Sequence, residues 1–203
     1  KSLNNIPGLF RNLAEADKEW KPRRLYKVDG SIQYVYRKLP GELELSLEEI
    51  ENRIVNFNDL FIKERQDIKD LLKVLNNAGV SVVFYDLSKN KSSKGASGLW
   101  VPGKATVILD PSLIRYGSLA FHDVLSHESV HVAQSCFAGS IYAQPQRIGL
   151  PLAFSRSINN SISHQLYSHH SQSNIYVEQE AYSYSNKIGS AVYLIKNYCM
   201  QKI

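Results

Sequence analysis

Two histidines four residues apart, with a glutamate directly after the first, are the residues of this chain best placed to do chemistry: His127-Glu128-Ser129-Val130-His131. An α-helix turns once in 3.6 residues, so positions four apart share a face. On a helix, His127 and His131 can present two imidazole nitrogens to one Zn2+. Glu128 is rotated by about 100° from His127. That offset lets its carboxylate reach a water on the metal without binding the metal itself. Zinc brings the pKa of such a water toward neutrality, and the glutamate can take its proton. The resulting hydroxide attacks a carbonyl, and Glu128 passes the proton on to the leaving nitrogen. The motif sits among Leu119, Phe121, Val124, Leu125, Val130, Val132 and Ala133, so its helix has a buried side. Two histidines and a glutamate there are costly unless something satisfies them.

A catalytic zinc takes three protein ligands and keeps a fourth position open. Downstream, Glu178-Gln179-Glu180-Ala181 offers two carboxylates. Two positions apart on a helix, they point different ways, so only one should coordinate, and spacing alone leaves Glu178 and Glu180 both open. The metzincin extension would need a glycine and a further histidine where this chain has Gln134 and Phe137. His-Glu-x-x-His followed by Glu-x-x-Ala on a later helix instead resembles the glutamate-zincin (gluzincin) pattern. In that pattern the first Glu binds zinc, and the small residue one turn on lets the two helices approach. The resemblance therefore implies Glu178 as third ligand, with Glu180 as its rival. More narrowly, His127 to Gln134 together with Glu178 to Ala181 resembles bacterial zincin-like domains reading His-Glu-x-x-His-Val-x-Gln and, later, Glu-x-Glu-Ala-Asp.

That likeness covers the two helices only. It implies a zinc metallopeptidase acting on a peptide or protein substrate. It also implies that the strand before the active helix, here residues 105–109, is the sheet edge that pairs with extended substrate. The chain departs from the pattern at Tyr182, which stands where the Asp would be. Asp123, one turn before His127, could orient that histidine instead, or simply charge the helix start. Tyr167, His169, His170, Tyr176 and Tyr182 are candidates for stabilising an oxyanion. His122 lies about 140° off the face of His127 and is not read as a ligand. The spacing of His164, His169 and His170 is not a ligand pattern.

The elements that must position these residues read as an α+β, zincin-like domain. Residues 9–20 have helical spacing, and Pro22 stops them. Alternating residues 25–36 flank Asp29-Gly30, a two-residue hairpin signal. Ser46 and Glu49 form a capping box for a long helix over 47–76. Strands follow at 80–87, 99–101 and 105–109, separated by a polar loop at 88–98. The motif helix spans about 118–138 and ends at Gly139. Residues 140–173 read as a long functional loop, and 175–198 as one last helix carrying the third ligand. The expected division is 1–45, a helix and hairpin extension (sheet edge or flap), and 46–203, the zincin-like domain. The long helix should pack on a small mixed sheet, and the motif and last helices should cross at the metal.

The bulk numbers permit such a domain. Of 203 residues, 43% are hydrophobic, enough for a sizeable core. The net charge of +5 is spread out, with no aromatic interleaving, which argues against a nucleic-acid platform. No apolar run reaches the roughly 18 to 20 residues of a membrane span. Cys136 and Cys199 could bridge if the last helix packs on the motif helix, or remain two buried thiols. Compartment and oligomeric state are not encoded in any motif. Two other functions compete with a peptidase: a zincin-fold binding or structural domain without turnover, and a hydrolase of non-peptide amides.

Overall fold

The computed structural model describes residues 6–93, 95–153 and 172–200. Helix α1 (Ile6–Asp17) buries Leu9 and Leu13, and a short 3-10 turn carries the chain to Trp20. Strands β1 (Arg23–Tyr26) and β2 (Ile32–Val35) then pair antiparallel. Asp29-Gly30 does not form the centre of a two-residue turn. The turn spans Lys27 to Gly30, with the Gly30 amide donating to the Lys27 carbonyl. Gly30 takes a φ of +83° at its end, and the Asp29 carboxylate accepts from the Ser31 amide and hydroxyl. This is the longer hairpin connection, closed by a left-handed glycine. The hairpin forms a sheet of its own and adds no edge to the main one. Arg24 and Tyr34 fasten it to Glu51 of helix α2 (Leu47–Val55).

The long helix expected over 47–76 is two helices. The capping box of Ser46 and Glu49 starts α2 as predicted, but α2 stops at Asn56. A 3-10 turn follows before α3 (Ile62–Asn77). Asn56, Asn58 and Asp59 cluster at the break, and their short polar side chains compete with the helical backbone. The break also brings Phe61 edge-on to Trp20, with ring centroids 5.8 Å apart. Helix α3 then buries Ile68, Leu71, Leu72 and Leu75.

Strands β3 (Ser81–Phe84), β4 (Gly98–Val101) and β5 (Thr106–Leu109) form a mixed sheet in the order β3-β5-β4. β3 runs parallel to β5, and β4 antiparallel to it. The expected edge strand, 105–109, is therefore the central one, because β3 and β4 occupy both its sides. The edge beside the motif helix is β4.

Helix α4 (Gly117–Phe137) is the centre of the molecule, packed against α1, α3, β4 and the two last helices. Its start is capped from α1: the Asp17 carboxylate accepts from the Ser118 amide at 2.7 Å and from its hydroxyl at 2.6 Å. Gly117 is required there, since a Cβ would stand 2.5 Å from Asp17 Oδ1. His122 Nε2 meets Asp67 Oδ2 at 2.6 Å, a buried tie between α4 and α3. The single last helix expected over 175–198 is again two, α5 (Gln172–Ser185) and α6 (Ser190–Tyr198). Gly189, at a φ of +79°, sits at the break, a conformation that glycine adopts without cost. Both helices pack on α4, and a disulfide between Cys136 and Cys199 joins the ends of α4 and α6. No described helix is long and apolar enough to cross a membrane.

Candidate metal centre

Helix α4 presents His127 and His131 side by side, and α5 crosses it to bring Glu178 opposite. The three side chains converge on one point. His127 Nε2 and His131 Nε2 are 3.1 Å apart. Each lies 3.1 Å from one oxygen of Glu178. A tetrahedron with bonds of about 2.0 Å has edges of about 3.3 Å, so the spacing fits the donor set of a zinc site. Two imidazoles and a carboxylate are also the donor types of a catalytic zinc. Among the described residues this is the one group of three or more potential ligand side chains close enough to share an ion.

The electrostatics reflect how closely these groups lie together. Burial pushes the His131 imidazole down, but the charge and hydrogen bond of Glu178 outweigh it and raise the group to about 9. Burial works to raise Glu178, yet the two histidines hold it well below the usual carboxylate range. Glu128 is buried, and that burial raises its carboxyl above the ordinary value against the pull of both histidines. It stays outside the ligand cluster, as its place on the helix requires.

Strand β4 is built to lie against Glu128. A Cβ on Gly98 would stand 2.7 Å from Val124 Cγ1 and 3.0 Å from Glu128 Cγ, so only glycine allows the strand this close. The Trp100 indole donates to Ser135 Oγ at 2.8 Å, and its backbone lies close enough to the Glu128 carboxylate to work against the rise that burial causes. Nothing in the motif itself points to Gly98, Trp100 or Ser135. The Asp110 amide donates to the Ser97 carbonyl. In antiparallel pairing the bonded positions alternate, so the main-chain groups of Gly98 and Trp100 face away from β5.

Glu180 is elsewhere. Its side chain is fully buried and receives the backbone amides of Ile148, Gly149 and Leu150, at 2.8 to 3.0 Å, and the Gln134 amide at 3.0 Å. Two positions along α5 thus separate a carboxylate facing the histidines from one facing the 148–150 segment. Ala181 is fully buried and belongs to the core.

His131 is oriented from behind, with its Nδ1 2.7 Å from Gln134 Oε1. His127 differs. Its Nδ1 is buried and has no hydrogen-bond partner among the described residues. Asp123 is exposed and does not orient it. The Tyr182 ring packs against the imidazole instead, with centroids 4.3 Å apart. Tyr176 is exposed and sits under the Arg147 guanidinium. Tyr167, His164, His169 and His170 lie outside the described residues.

No family model, curated protein or solved structure matches the chain.

Proposed function

We propose that this chain is a zinc-dependent hydrolase of the glutamate-zincin type, acting as a peptidase. The observation that carries the reading is the convergence of His127, His131 and Glu178 from two helices, with Glu128 beside them and outside the cluster. The order of elements supports it: mixed sheet, motif helix, then ligand helix. A bound zinc ion would supply a Lewis acid and bring a water's pKa toward neutrality. Glu128 is the base that accepts that water's proton, and its buried carboxyl suits the task because burial raises its proton affinity. The same carboxyl then delivers the proton to the leaving nitrogen. The outward-facing main chain of β4 offers an edge to which an extended peptide can add as a further strand.

The test is metal analysis followed by Glu128→Gln. We expect one zinc per chain at neutral pH and hydrolysis of a peptide library. In Glu128→Gln we expect full zinc content and a rate at least about 100-fold lower. Absence of zinc would sink the reading. Zinc without turnover in the unmodified protein would leave a binding domain, and turnover by the variant would remove Glu128 as base.

A further inference from the structure

We infer that Gln134 and Glu180 are positioning residues that fix the tautomer of His131 and tie the metal centre to the 148–150 segment. The inference rests on the zinc reading and extends it to residues that bind no metal.

The hydrogen bonds around Gln134 have one consistent direction. The Val177 carbonyl can only accept, and the Gln134 side chain meets it at 3.0 Å through Nε2. The same Nε2 has a second proton, which goes to Glu180 Oε1. With both protons committed, the Gln134 oxygen faces His131 and can only accept. His131 Nδ1 must then be the N–H. Its Nε2, the nitrogen that faces His127 and Glu178, is then the one whose proton a metal ion would displace. Glu180 is the fixed end of this relay. Its oxygens accept from three consecutive backbone amides and from Gln134, so they form the kind of fully satisfied buried carboxylate that the interior tolerates. The 146–150 stretch is held to the same residues, since the Gln146 amide also donates to the Gln134 carbonyl. The metal ligand and the segment therefore share one contiguous network.

Three measurements test this. Zinc affinity is read by competition with a chromophoric chelator in variants whose fold is checked by circular dichroism. Gln134→Ala and Glu180→Gln should each weaken zinc about 10- to 100-fold, the usual effect of losing such a partner. Glu180→Gln sets an NH2 group against amides that already donate to both oxygens of that side chain. Gln134→Met keeps the length of the side chain and loses the acceptor toward His131, so it should weaken zinc as much as Gln134→Ala does, which a role in packing alone would not produce. In the unmodified zinc-loaded protein, nitrogen-15 spectra should show His131 protonated at Nδ1. Hydrogen exchange at the amides of 148–150 should slow on zinc addition and lose that response in Gln134→Ala.

Wild-type zinc affinity equal to that of both single variants, or a His131 protonated at Nε2, would overturn the inference while leaving the zinc reading intact. A wild-type protein that takes up no zinc would fail the reading beneath it. If the single variants do not fold, the nitrogen-15 and exchange measurements on the unmodified protein decide the matter.

Discussion

Glu178 and Glu180 show how much two positions on a helix change. One carboxylate meets two histidines, and the other meets three backbone amides. The spacing of His127, Glu128 and His131 was legible because helical periodicity alone puts two of them on a face and the third beside it. The choice between the glutamates was not. It depends on which side of α5 meets α4, and only the resemblance pointed to Glu178. The roles of Gln134 and Gly98 were hidden for a related reason: each acts through a contact made by distant chain. Tyr182 yields a prediction at this scale. It packs on the histidine whose Nδ1 lacks a hydrogen-bond partner among the described residues. Tyr182→Asp places a carboxylate near that nitrogen, and a carboxylate partner raises the basicity of a metal-bound imidazole. Zinc should bind about tenfold more tightly in Tyr182→Asp, measured by chelator competition. Unchanged or weaker binding would show that the ring's packing matters more than a charged partner.

At the scale of elements, sequence periodicity found the helices and strands but misjudged continuity and neighbours. The apolar stripe of 47–76 runs across the break at 56–61, because stripe residues can continue on either side of a bend. Asn56, Asn58 and Asp59 were the available warning. The place of β5 between two strands was not legible, since strand order depends on non-local pairing. The hairpin is an element held largely by polar contacts: β1 and β2 are mostly exposed, and Arg24 and Tyr34 grip Glu51. The Arg24 guanidinium, then the Tyr34 hydroxyl, hold the Glu51 carboxyl down to about 2. A carboxyl depressed on folding contributes stability above its unfolded value near 4.5 and loses it as the pH falls toward the folded value. The hairpin should therefore stay docked at pH 5 and loosen between about pH 4.5 and 2. Salt should soften the effect, since the pair is only half-buried. Amide exchange of β1 and β2 across that range checks it, and Glu51→Gln should abolish the pH response.

Across the whole molecule, one core gathers Leu13 of α1, Ile68 and Leu75 of α3, Val107 of β5, Phe121 and Leu125 of α4, and Ile195 of α6. Composition predicted such a core without saying which elements would share it. The sequence left the two cysteines open between a bridge and two thiols, and the packing of α6 on α4 brings them together. Closing a loop with a sequence separation of 63 limits the unfolded chain by about 4 kcal/mol in the loop-entropy picture. Reduction, or Cys136→Ser with Cys199→Ser, should lower the melting temperature by about 10 °C, measured by thermal unfolding with and without reductant. An unchanged melting temperature would show that helix packing alone holds the ends.

That bridge has a further consequence. It joins a residue five positions after His131 to one twenty-one positions after Glu178, so His127, His131 and Glu178 belong to covalently linked chain even if the backbone between Cys136 and Glu178 is cut. A single cleavage between Gly139 and Pro151 would give two fragments that travel together until reduced, with the histidines on one and the glutamate on the other.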